Sequence, residues 1–249
     1  FDFQSDSTIS YSGTNHNFIN AGLIKKTAGD ANSNFGCILN NTGIISVENG
    51  TILMTALVKT FDGGVYNVST GSSLVLSSPV NINNELTGVL NGAMNWADNI
   101  SVATTATFNF TGTTGVTWTS SSLIGGGNLT NESVISLAGA GSRYISGETT
   151  LTNNGTVTMP SGGYFYLYDT AVFNNTASGV FDFQSDSTIS YSGTNHNFMN
   201  AGLIKKTAGD ATSNFGCILN NTGIISVENG TILMTSLVKI GRASCRERV

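Results

Sequence analysis

Charge is scarce in this sequence: Asp, Glu, Lys and Arg make up 10% of its 249 residues, where soluble chains carry about a quarter. Solubility must rest instead on Asn, Ser, Thr and Gly spread along the whole length, a vocabulary of strands and turns rather than helices. Proline occurs only twice and cysteine three times. Cys37 and Cys217 occupy one position in two copies of a repeat, so neither copy holds a pair from which a disulfide framework is built. Each is followed by Ile and reads as a small buried hydrophobe. No apolar run reaches the roughly 18 residues that a membrane-crossing helix needs. Before the last ten residues, no basic cluster exceeds the Lys25-Lys26 and Lys205-Lys206 pairs, and the formal net charge is −5 with a pI near 4.8. That balance argues against a nucleic-acid partner. A phosphate loop is missing too, because Gly125-Gly126-Gly127-Asn128 has no following Lys-Ser or Lys-Thr and reads as a turn. The glycine-rich calcium nonapeptide is absent, although Asp62 and Asp210 are loop carboxylates. No cofactor and no metal site is expected.

Repetition fills the space these absences leave. Residues 1–59 recur at 181–239 with three differences, Ile19/Met199, Asn32/Thr212 and Ala56/Ser236, so 56 of 59 positions are identical. The match stops after Lys239. Residues 240–249 carry three of the four arginines and resemble the translation of a common sequencing adapter. They read as a non-native tail, expected to be disordered and set aside from fold and function. Without them the net charge becomes −7. With a start at Phe1, lacking both Met and a targeting segment, such an end reads as a metagenomic fragment cut on both sides.

A shorter period runs inside the long one. Leu129-Thr130-Asn131, Leu151-Thr152-Asn153, Phe173-Asn174-Asn175, Phe198-Met199-Asn200 and Leu219-Asn220-Asn221 follow one another at a spacing of about 22 residues, and Phe18 and Leu39 repeat this in the first copy. Each start is followed by an alternating run such as Thr156-Val157-Thr158-Met159, the period of a half-buried strand. A unit of about 22 residues cannot bury its own apolar face, but stacked units join their faces into a column. The predicted fold is therefore all-β, a parallel β-helix (β-solenoid) with coils of about 21–25 residues, continuous over residues 1–239. One internal file is predicted to contain Ile135, Val157, Phe181, Ile204 and Ile225, and the next Leu137, Met159, Phe183 and Val227. Lys206 interrupts the second file. It must snorkel, pair with a carboxylate such as Asp210, or mark a slip of register, and a slip or local bulge is the favoured reading. Asn tolerates left-handed corners, and stacked amides can bond one another. Asn40, Asn153, Asn174 and Asn220 are the candidate corner residues. The looser span from Phe61 to Gly127 is read as further coils.

The segments NNTGIISVENGTILM (Asn40 to Met54 and Asn220 to Met234) and LTNNGTVTMPSG (Leu151 to Gly162) resemble right-handed parallel β-helix repeats of large secreted bacterial surface proteins, of autotransporter-passenger or filamentous-haemagglutinin type. The likeness lies in spacing and turn chemistry over most of residues 1–239. It implies an extracellular or cell-surface location and a structural or adhesive role, with neighbouring repeats, polysaccharide or a cell-surface protein as partners. Two other classes stay open: a carbohydrate-binding module, and a polysaccharide lyase or hydrolase of pectate-lyase-like fold. For the enzyme the sequence offers His16 and His196, one position in two copies, with Asp6 and Asp186 ten residues before them and a single Arg143 outside the tail. So few ionisable partners point to polar turn residues, and no catalytic residue is assigned. For the binding module, Tyr164, Tyr166 and Tyr168 alternate with Phe165 and Leu167, so one set faces outward if the other faces in. Outward tyrosines offer ring faces to sugar or protein. Packing of the rings on neighbouring strands is the structural alternative.

Overall fold

A computed structural model describes residues 1–11, 16–57 and 59–240. The strands are short, mostly of four residues, and every pairing among them is parallel. They wind into a solenoid of about 11 turns. Three strands make a turn, so the solenoid has three faces. The first face carries, among others, Leu23–Lys26, Asn128–Asn131, Thr150–Asn153, Val172–Asn175 and Asn197–Asn200. The second face is an 11-stranded sheet running from Thr8–Ile9 to Ile224–Val227. The third holds Asn17–Asn20 near one end and Ser142–Ser146, Tyr164–Tyr168 and Thr188–Ser192 further along. The ten-residue strand Val80–Val89 joins the third face to the first. Its first half pairs with Lys59–Asp62 and its second with Thr105–Thr111. Asn84 makes the bend between them at φ 59°, a left-handed conformation that Asn tolerates.

Apolar side chains alternate inward and stack turn on turn. Ile135, Val157, Phe181, Ile204 and Ile225 form one continuous file, as the spacing predicts. In the middle turns the column is wide enough for indoles: the Trp96 and Trp118 rings stack at 3.9 Å and 6°. Further on, Phe165, Phe173, Phe181 and Phe198 fill the centre with ring centroids 4.5 to 6.2 Å apart. Each such side chain removed from water contributes about 1.5–3 kcal/mol, so the column supplies most of the driving force for stacking.

The register does not slip at Lys206, contrary to the favoured expectation. Phe183, Lys206 and Val227 pair in sequence, and Lys206 points inward with no exposed surface. Its stem extends the apolar file, while Nζ reaches the corner and donates to Asp186 Oδ1 at 2.9 Å, the Ala208 carbonyl at 2.8 Å and Ser213 Oγ at 3.1 Å. The carboxylate partner is thus Asp186. Asp210 instead accepts a hydrogen bond from Asn229 Nδ2 at 2.8 Å.

The two copies of the repeat occupy different faces. Asp2-Phe3 pairs with Lys25-Lys26 on the first face, and the identical Asp182-Phe183 pairs with Lys205-Lys206 on the second. Between Asp2 and Asp182 the chain therefore makes eight turns and one additional face. The expected tail from residue 241 onward lies outside the described residues; Ile240 ends a strand, opposite Asn221.

Candidate functional site

The corners of the solenoid bind a file of asparagines and several buried cations. Each first-face strand of the form Leu-Thr-Asn or Phe-Asn-Asn ends on an inward Asn, and these amides form a file. Asn131 donates to Asn153 at 2.8 Å, Asn153 to Asn175 at 2.8 Å, Asn175 to Asn200 at 2.7 Å and Asn200 to Asn221 at 2.6 Å. The same Nδ2 groups also donate to corner carbonyls such as those of Gly155 and Gly179. In the first copy the file is shorter: Asn20 donates to Asn41, whose Nδ2 lies 2.9 Å from the Tyr66 hydroxyl. Of the candidate corner residues, Asn153 stands in this file. Asn40, Asn174 and Asn220 do not, and the positions shift by one to Asn41, Asn175 and Asn221. Where two asparagines adjoin, side-chain alternation sends the first outward and only the second inward.

Buried cations hold other corners. Lys26 donates to Asp6 Oδ1 and the Ala28 carbonyl, both at 2.8 Å, repeating the Lys206 arrangement. The ammonium groups hold the Asp6 and Asp186 carboxyls below the usual carboxylate range, through these hydrogen bonds first. Arg143 is fully buried and held by carbonyls alone, among them Trp118 at 3.2 Å, Gly141 at 2.7 Å and Gly139 at 2.5 Å. Lys59 donates to the Ala56 carbonyl at 2.8 Å and to Ser78 Oγ.

The residues considered for catalysis do not converge. Asp186 precedes the strand Thr188–Ser192 and is bound to Lys206, whereas His196 lies past that strand, at the opposite corner. His196 is buried, and its Nε2 accepts the Ile218 amide proton at 3.3 Å. Burial holds its pKa below the ordinary value. The Tyr191 ring covers it at 4.0 Å, and Tyr11 covers His16 in the same way at 3.4 Å. Burial pushes the Cys217 thiol up to about 12, so it is no nucleophile at neutral pH. The loop carboxylate Asp62 accepts from Asn84 at 2.7 Å, one of several Asn–carboxylate rungs between turns. Among the described residues no group of three or more His, Cys, Asp or Glu side chains is placed to hold a metal ion.

The third face presents the tyrosines. Phe165 and Leu167 are buried, so Tyr164, Tyr166 and Tyr168 point outward, with Tyr164 46% and Tyr168 42% exposed. The structure adds two residues that the sequence pattern did not single out. Tyr144 lies directly opposite Tyr166 on the preceding turn, with rings parallel within 13° at 5.2 Å, and Tyr164, two residues earlier on the same strand, lies within 17° of parallel to Tyr166 at 5.6 Å. On the following turn Tyr191 is in register with inward Leu167, yet its ring, which lies over His196, is 45% exposed. The signal for Tyr144 is its position one coil length before Tyr166. Tyr144 and Tyr166 are half-buried, and burial together with Tyr144 and Tyr164 raises the Tyr166 pKa.

These features define a three-faced parallel β-solenoid that binds buried polar side chains at its corners and carries a row of tyrosines on its third face. No family model, curated protein or solved structure matches the chain.

Proposed function

We propose that this chain is a structural, non-catalytic repeat segment of a secreted bacterial cell-surface protein, which extends or presents an adhesive region. The observation that carries the reading is how the ionisable and amide groups are used. Lys26, Lys59, Arg143, Lys206 and the asparagine file are all bound inside corners, where they tie one turn to the next. A chain that commits its reactive side chains to stacking gains length and rigidity from each added turn. Near-identity of the two copies fits selection for length, since duplicating a whole unit lengthens the rod without disturbing its joints.

The test is direct. In solution scattering, residues 1–239 should behave as a rod of roughly 50 Å, about 11 turns at ~4.8 Å each. Incubation with polygalacturonate or neutral β-glucan should release neither unsaturated products nor reducing sugar. Release of either would overturn the non-catalytic reading, and a compact, flexible particle would overturn the rod. For location, a longer sequence through the gene should show a secretion signal upstream; a cytoplasmic enzyme fused in frame would count against the surface role.

A second reading, a carbohydrate-binding module, is favoured by the five tyrosines gathered on the third face.

A further inference from the structure

The outward positions of three adjacent third-face strands, Ser142–Ser146, Tyr164–Tyr168 and Thr188–Ser192, are Ser, Thr and Tyr only. A patch of three strands with no formal charge needs no counter-ion from a partner. At its edge, where these strands turn toward the first face, stand two exposed carboxylates, Glu148 and Asp169. The whole chain is net negative as well. An acidic ligand would meet repulsion at the rim and find no cation on the face, because Arg143, the one cation on these strands, points inward with its guanidinium bound to carbonyls.

What the patch does offer is aromatic surface set among hydroxyls. Tyr164, Tyr168 and Tyr191 are each exposed by more than two-fifths, around an inner pair, Tyr144 and Tyr166, whose rings pack on one another. Packing of the inner pair fixes the platform before any ligand arrives, which reduces the ordering cost of binding. Side chains with apolar ring faces and polar tips match a ligand that is itself apolar on its ring faces and polar at its rim. Such a ligand is a pyranose chain. The parallel sheet beneath keeps the surface continuous over three turns, so the surface suits an extended polymer better than a small molecule, which would need an enclosing cleft.

We propose that the third face between Ser142 and Ser192 is a binding platform for a neutral polysaccharide, with Tyr164, Tyr168 and Tyr191 as the contacting rings and Tyr144 and Tyr166 as their support. The proposal rests on the carbohydrate-binding reading and narrows it to an uncharged polymer and a named face.

Affinity electrophoresis of the full chain tests it, in gels containing hydroxyethylcellulose as the neutral probe or polygalacturonate as the acidic one. Hydroxyethylcellulose should retard the chain in proportion to its concentration, with little change on adding salt, and polygalacturonate should not. The double variant Tyr164→Ser/Tyr168→Ser should weaken the retardation at least tenfold. Ser190→Lys, which leaves every ring in place and puts a bulky charge on the platform, should weaken it comparably, so the result does not depend on the double variant folding. Retardation by polygalacturonate alone would overturn the proposal. So would full retardation of Ser190→Lys by the neutral gel, or the absence of retardation in both gels. If the chain scatters as a rod yet binds neither polymer, the platform falls while the spacer role stands; retardation by polygalacturonate alone leaves carbohydrate binding in place and removes only its neutrality.

Discussion

Asn175 sits in the middle of the amide file, accepting from Asn153 and donating to Asn200. Asn175→Ala leaves the Asn200 Oδ1 without its donor and the Asn153 Nδ2 with only its longer bonds to the Gly155 and Val180 carbonyls, in a buried corner, and should cost about 1–3 kcal/mol in denaturant unfolding. Its neighbour Asn174 faces outward, so Asn174→Ala should change stability by less than about 0.5 kcal/mol. Lys59 gives a prediction in pH. Burial lowers its pKa from 10.5 to about 8, with Asp98 offsetting part of the effect. Between those values the unfolded chain binds a proton that the folded chain does not, so folding stability should rise as pH increases from about 8 to 10.5 and be flat in this respect on either side. At about 1.36 kcal/mol per pH unit the rise is about 3 kcal/mol. Lys59→Met should remove it, as seen by comparing the two urea-unfolding profiles across that range.

At the scale of one strand, the two copies place the same sequence in two registers. In the first copy Lys59 pairs with Leu39 and Phe61 with Asn41, so Lys59 and Phe61 face inward. In the second, Val238 pairs with Leu219 and Lys239 with Asn220, so Lys239 faces out. The preceding residues are nearly identical, and the difference lies in the next two: Thr60-Phe61 against Ile240-Gly241. Because side chains alternate, burying Phe61 forces Lys59 inside as well. Burying a phenyl ring contributes about 1.5–3 kcal/mol, of the same order as the cost of the buried lysine, whose ammonium finds carbonyl and hydroxyl partners. The double variant Thr60→Ile/Phe61→Gly removes that ring, and Lys59 should turn outward. Mass spectrometry after amine acetylation should then show Lys59 modified at the rate of Lys239, whereas in the parent chain it is protected.

Over the whole molecule, stability depends on the turn stacked above. Ile45 and Val47 are fully buried beneath Val65–Val68, while the identical Ile225 and Val227 are 37% and 48% exposed. The chain thus contains its own control. Amide hydrogens of Ile224–Met234 should exchange faster than those of Ile44–Met54 by a factor of ten or more, although the sequences are the same. Equal protection would show that stacking contributes less than the strands' own propensity. The offset of eight turns and one face between copies also matters at this scale. It places Tyr11 and Tyr191, equivalent in sequence, on different sides of the rod, so a surface made by one copy is not repeated directly above itself by the next.

Much of this architecture is legible in the residues. The coil length, the internal file from Ile135 to Ile225 and the outward set of tyrosines all come from a period of about 22 laid over a period of two. Both periods are local properties that can be counted along the chain. Four decisions needed the stacked structure. The inward member of each Asn-Asn pair is set by where the strand ends at its corner. The partner of Lys206 is Asp186, twenty residues away in sequence but one turn below in space. The ring stacked on Tyr166 from the preceding turn is that of Tyr144, and the face carrying each copy is fixed by adding up every corner between Asp2 and Asp182. Sequence sets the alternation and the coil length, whereas side-chain partners and faces depend on accumulated turns, and a difference of one residue at any corner is enough to change them.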